Sequence, residues 1–136
     1  MLLDCLANHS MLYGFPGETK VLPYFLEREE QYGDLTDAEN LRRLSDDFAR
    51  SLGGRYIVHF EAVRTCVSSG NRRGSVAAVF DQFMKRMADA EGKGIWCEKT
   101  PMYVHHLSLL ASAFPRAKFI HVIRDGRECA ASFHRR

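Results

Sequence analysis

The chain closes on an apolar run, Phe119 to Ile123, that ends on Arg124-Asp125-Gly126-Arg127 and passes at once into a helix-forming stretch. A strand tip followed by a helix N-terminus gathers anions, because unpaired backbone N–H groups and the helix dipole both favour negative charge there. A guanidinium at that tip, Arg124, can hold a phosphate with two parallel hydrogen bonds. Asp125 is placed to cap the helix, Gly126 to let the backbone approach closely, and Arg127 to pair with an acid or to touch the anion. A second charged cluster, Glu98-Lys99-Thr100, follows another short apolar run, Ile95 to Cys97.

Both clusters have to be positioned by secondary structure. Ile95 to Cys97 reads as a strand, Pro101 as a helix start, and Phe114-Pro115 as the break that ends a helix near Ala113. A strand from Lys118 to Ile123 and a helix from about Gly126 follow. This is a β-α-β unit, whose strands run parallel, so both charged tips open on one carboxyl edge of the sheet. Upstream, Leu2 to Ala7 has helical character without a start signal. Residues 9–20 read as a turn-rich connector, and Glu18 to Glu30 as a short helix interrupted early by Pro23. Thr36 with Glu39 forms a capping-box pattern, and Leu41, Leu44, Phe48 and Leu52 recur at helical spacing before Gly53-Gly54. Tyr56 to Phe60 is either a short strand or a connector, and Ser68 to Gly74 is a polar loop. Val76, Val79, Phe80, Phe83, Met84 and Met87 mark one face of a helix ending near Gly92, which assigns the two methionines to the core. No repeat or domain boundary interrupts the 136 residues.

Composition narrows the partners. Hydrophobic content of 46% and charged content of 26% are ordinary for a globular α/β chain. A net charge of +2 is too small to mark a nucleic-acid or membrane-surface protein, so an anion site has to be local. No apolar run approaches the ~18 residues of a membrane span, and the first residues carry an acid and no basic leader. Cys5, Cys66, Cys97 and Cys129 are scattered without metal-binding spacing. They read as buried or half-buried thiols of a reducing, cytoplasmic compartment, with no metal expected.

The stretch from Trp96 to Ser132 resembles the sulfotransferases that use 3'-phosphoadenosine-5'-phosphosulfate. It carries Glu-Lys-Thr-Pro (98–101), Phe-Pro-x-Ala-Lys-Phe (114–119) and Arg-Asp-Gly-Arg (124–127) in the order of that family. Residues 14–25 are similar to the segment after the first helix in its bacterial and tyrosylprotein branches. The resemblance implies a three-layer α/β fold of the P-loop-NTPase-like kind with a short parallel sheet. It implies that phosphosulfate as donor, a small-molecule or peptide acceptor with a hydroxyl or amine, and no metal. Family members begin with a strand and a loop of the Pro-Arg-Ser-Gly-Thr type that grips the 5'-phosphosulfate, and continue beyond the 3'-phosphate site. Residues 1–136 are therefore expected to form a partial sulfotransferase domain, lacking that first strand and loop. An isolated chain of this kind is expected to be marginally stable or to self-associate through bared apolar faces.

The same resemblance distributes roles. Arg124 and Ser132, with seven residues between them, match the pair that holds the donor's 3'-phosphate, with Arg127 beside them. Glu18 matches the general base of the tyrosylprotein-like branch, its alternative being a glutamate that complements a helix dipole. Lys99 matches a lysine beside the transferring sulfuryl group, its alternative being a plain surface lysine. Thr100 is expected to cap the Pro101 helix, and His9, His59, His105, His106, His121 and His134 to be structural. Two other functions fit the motifs less fully: a non-catalytic nucleotide- or anion-binding module, and a P-loop-like phosphotransferase such as a small kinase. The second lacks any G-x-x-x-x-G-K-[ST] in the sequence.

Overall fold

A computed structural model describes residues 2–53, 74–123 and 125–133, of which 129 and 131–133 are described by backbone alone. Tyr56 to Phe60 and most of the Ser68 to Gly74 loop lie outside these residues. Helix α1 (Leu2–Ala7) leads into strand β1 (Leu12–Gly14), which pairs in parallel with strand β2 (Ile95–Cys97). The register sets Leu12 against Ile95, Tyr13 against Trp96 and Gly14 against Cys97. Flanking hydrogen bonds from Ile95 N–H to Met11 O (2.9 Å) and from Phe15 N–H to Cys97 O (3.0 Å) extend the pairing.

Strand β1 lies inside the stretch expected to be a connector. Three residues are too few to show an alternating pattern, and Gly14 reads as a turn former. Its use is different: a Cβ at position 14 would stand 2.9 Å from the Ala7 Cβ, so glycine lets α1 cross close over the strand. Side chains alternate across a strand. Gly14 thus meets α1 on one face, while Tyr13, only 1% exposed, enters the core on the other.

That other face is met by helix α4 (Val76–Ala90), and Phe48 of helix α3 (Ala38–Ser51) lies 6.0 Å from Phe80 of α4. Sheet and helices form an α/β architecture with one short two-stranded parallel sheet among the described residues. In α4, Val76, Val79, Phe80, Phe83 and Met84 are buried, as their spacing predicts, and Met87 is half-buried against them. In α3, Leu41, Leu44 and Phe48 are buried in the same way. Aromatic rings join the layers. Phe25, from helix α2 (Leu22–Leu26), stacks on Phe48 at 4.1 Å, and Phe80 meets the edges of Trp96 (5.7 Å) and Phe114 (6.2 Å).

Local details differ from the sequence expectation. The α3 cap is Asp37, whose carboxylate accepts from Glu39 N–H (2.9 Å) and Asn40 N–H (3.1 Å); Thr36 instead donates to Asp34. Pro23 does not interrupt a helix but sits in the first turn of α2, where its missing N–H costs nothing. A 3-10 helix, Glu29–Tyr32, follows in place of further α-helix.

The largest correction concerns Lys118 to Ile123. This run forms no strand among the described residues, and Ile120, Val122 and Ile123 are 65%, 65% and 83% exposed. An apolar run becomes a strand only when a neighbouring edge takes up its N–H and C=O groups. Among the described residues none does. The β-α-β unit is therefore realised only as far as β2, a 3-10 helix (Pro101–His106) and helix α5 (Leu107–Ala113), with helix α6 (Gly126–Phe133) beyond.

Candidate active site

Parallel pairing decides which residues meet. Because β1 and β2 run the same way, both carboxyl ends open on one edge. The chain leaves β1 through Phe15, Pro16 and Gly17 (φ +110°) to Glu18, and leaves β2 directly into Glu98 and Lys99. Lys99 Nζ donates to Glu18 Oε1 at 2.7 Å, and Lys20 Nζ stands 3.4 Å from Oε2 of the same carboxylate. Lys20 holds a left-handed backbone (φ 60°), uncommon for a residue with a side chain. Hydrogen bonding from Lys99, aided by Lys20, holds the Glu18 carboxyl below its usual range. Glu18 is therefore ionised at neutral pH.

The Glu18 and Lys99 side chains are 25% and 51% exposed. An ion pair that wet adds little stability. Its importance lies in placing an anion and a cation side by side at a sheet edge.

Beneath the pair lies a better-buried network. Glu98 Oε1 accepts from Thr19 N–H (3.0 Å), from the Thr19 hydroxyl (3.0 Å) and from the Thr100 hydroxyl. With its proton given to Glu98, Thr19 Oγ1 accepts from the Tyr103 hydroxyl at 2.6 Å, and Tyr103 in turn accepts from Leu22 N–H at 3.1 Å. Thr19 and Thr100 are 3% and 6% exposed, and burial pushes the Tyr103 phenol up to about 12. Thr100 does occupy the N-cap position of the Pro101–His106 helix, but its side chain makes no cap bond and serves this network instead.

A shallow cavity of about 330 Å³ adjoins the edge. Lys20 and Tyr103 belong both to it and to the charged cluster; Pro23, Tyr24 and Met102 line the rest of its floor. The Arg28 guanidinium lies 4.1 Å over the Tyr24 ring, and His106 Nδ1 stands 3.5 Å from Glu27 at the rim. Such a groove offers flat apolar surface with cations beside it.

At the other expected tip, Asp125 accepts from Arg127 N–H at 2.8 Å, the arrangement of an N-cap for α6. The Arg127 guanidinium folds back on the same carboxylate (3.1 Å) and holds Asp125 below its usual range. Arg124 lies outside the described residues, and Ser132 is described only as backbone in α6. The structure thus brings Glu18 and Lys99 together and leaves Arg127 in a local pair. Sequence reasoning placed Glu98 in the charged tip at residues 98–100 without a role, and missed Thr19, Lys20 and Tyr103 as members of the cluster. A signal existed for Thr19 and Glu98, which sit in the two motifs beside Glu18 and Lys99; none existed for Tyr103.

Of the thiols, Cys97 is half-buried and its Sγ donates to Tyr13 O at 3.2 Å, whereas Cys5 is exposed, against expectation. Among the described residues no group of three His, Cys, Asp or Glu side chains is arranged to hold a metal, and no helix is long and apolar enough to cross a membrane.

A model of the sulfotransferase family matches residues 1–135. No curated protein and no solved structure matches the chain.

Proposed function

Since this chain belongs to the sulfotransferase family, we propose that it carries the base and part of the donor site for sulfuryl transfer from 3'-phosphoadenosine-5'-phosphosulfate to a hydroxyl or amine acceptor. The observation that carries the reading is the 2.7 Å contact between Glu18 and Lys99, residues 81 positions apart that meet at the shared edge of β1 and β2.

In this reading Glu18 takes the proton of the acceptor as its oxygen or nitrogen bonds to sulfur. The bond from sulfur to the bridging oxygen of the donor breaks, and its electron pair leaves on the phosphate. Lys99 neutralises the charge that grows on that oxygen, a fixed electrostatic contribution that needs no metal. The two roles are linked. A carboxylate held by an ammonium stays ionised, as a base must be, but it is a weak base while that contact lasts. Donor binding draws Lys99 toward the bridging oxygen and frees Glu18 to accept a proton.

Arg124, Ser132 and Arg127 are assigned to the 3'-phosphate, and the groove floored by Tyr24, Met102 and Tyr103 to the acceptor, a small molecule or peptide. Residues 1–136 are assigned to the sulfotransferase domain. Free Cys5 and Cys97 fit a reducing, cytoplasmic setting. The exposed run from Phe119 to Ile123 is where we place self-association of the isolated chain.

The test is thermal denaturation of the purified chain with 3'-phosphoadenosine-5'-phosphate against 5'-AMP, repeated for Arg124→Ala. Stabilisation by the first nucleotide only, lost in the variant, is the expected result. Equal response to both nucleotides, or a response that survives Arg124→Ala, contradicts the 3'-phosphate assignment.

A further inference from the structure

One carboxylate oxygen ties the two strand ends together. Glu98 Oε1 receives the N–H and hydroxyl of Thr19, the neighbour of Glu18, and the hydroxyl of Thr100, the neighbour of Lys99. Three donors converging on one oxygen suit an ionised carboxylate, which accepts more strongly than a neutral carbonyl. The Tyr103 hydroxyl continues the chain from Thr19 to Leu22 N–H, at the start of α2. Donors and acceptors here come from segments 79 to 84 residues apart, so only the folded chain assembles them.

We propose that Glu98 is a positioning residue for the reacting pair: it braces the backbone at Thr19 against that at Thr100, and so sets the separation and direction of Glu18 and Lys99. This rests on the assignment of Glu18 and Lys99 to sulfuryl transfer. The side chains that would react are partly exposed, whereas the hydroxyls that fix their backbones are almost wholly buried. A buried hydroxyl deprived of its partner is costly, so the brace has one stable arrangement. Tyr103 brings the acceptor groove into the same frame, because its ring lines the groove while its hydroxyl is locked in the network. A purely structural Glu98 would behave differently: its loss would lower the melting temperature and leave the Glu18–Lys99 contact as it is.

Two measurements separate these cases. The first uses the purified chain and variants that keep every charge: Thr19→Val with Thr100→Val, and the milder Tyr103→Phe. Carboxyl NMR follows the titration of Glu18, which faces Lys99 and Lys20. In the double variant the midpoint of Glu18 rises toward the ordinary glutamate range, and in Tyr103→Phe it moves the same way by less. A midpoint unchanged in both variants, whatever happens to the melting temperature, overturns the proposal. The second is steady-state turnover of the sulfotransferase. Misplacing reacting groups by about 1 Å can cost ~100-fold, so Glu98→Ala loses about that much kcat with little change in KM for the donor, and Glu98→Gln recovers most of it. A folded Glu98→Ala enzyme within twofold of wild-type kcat overturns the brace. Silence of Glu18→Gln and Lys99→Ala in the same assay would instead overturn the sulfuryl-transfer reading, while the NMR result would still stand for or against the brace.

Discussion

The two stretches that sequence patterns mark as charged strand tips end in opposite conditions. At residues 98–103 the chain is locked to residues 18–22 by five hydrogen bonds between distant segments, four of them in the Thr19–Glu98–Tyr103 network and one from Lys99 to Glu18. At residues 118–127 the apolar side chains face solvent, and Asp125 and Arg127 bond to each other across two positions. Both stretches pair an apolar run with a charged turn. The difference is a partner: Ile95 to Cys97 has β1 beside it, and Lys118 to Ile123 has no described edge to join. Strand pairing fixes the backbones of the first stretch and so sets its charges against those of a distant segment, whereas Asp125 and Arg127 in the second meet within one local turn.

The comparison can be broken in order of effect. Replacing the proposed base, Glu18→Gln, is expected to lower turnover about 10² to 10⁴-fold with donor binding retained; Arg127→Ala, in the other stretch, is expected to weaken donor binding and leave kcat near its starting value. Kinetics in parallel for the two variants check this. Phe80→Ala removes the ring shared by α4, Trp96 and Phe114 and costs about 3–5 kcal/mol, whereas Ile123→Lys, at an 83% exposed position, changes stability by less than about 0.5 kcal/mol. Urea denaturation of both variants measures the gap.

The smallest effect is in acid. Glu18 and Asp125 both titrate below their usual values, Glu18 because of Lys99 and Asp125 because of Arg127. A carboxylate whose folded pKa is depressed adds stability above its unfolded pKa, and that stability is lost as pH falls through the folded value. Glu18 meets Lys99 only in the folded chain, while Asp125 and Arg127 are two residues apart and can meet in the unfolded chain as well. The acid limb of the melting curve therefore flattens in Glu18→Gln and is unchanged in Asp125→Asn.

What could be read from sequence follows from the reach of each interaction. Helical faces were legible because burial repeats with the helix: Leu41, Leu44 and Phe48 in α3, and Val76, Val79, Phe80, Phe83 and Met84 in α4. Glu18 and Lys99 were singled out only through the resemblance of residues 14–25 and 98–101 to the sulfotransferases, and the structure adds that the two side chains meet. The capping residue was missed by one position, because Thr36 and Asp37 are both good N-caps and only the extended backbone of Asp37 (φ −75°, ψ 132°) chooses between them. Strand β1 and the Tyr103 contact were not legible at all, since each depends on a partner more than 80 residues away. The same reason explains the error at Phe119 to Ile123, where side-chain composition suggested a strand but could not supply its neighbour.

If Glu18 and Lys99 work as one unit, their losses should not multiply. The most direct measurement is the rate of labelled sulfuryl transfer from the proposed donor by wild type, Glu18→Gln, Lys99→Ala and the double variant, with donor saturating. The predicted result is transfer by wild type, with the double variant no slower than the slower single variant by more than a small factor. Losses that multiply, or a double variant that still transfers at the wild-type rate, would contradict the account.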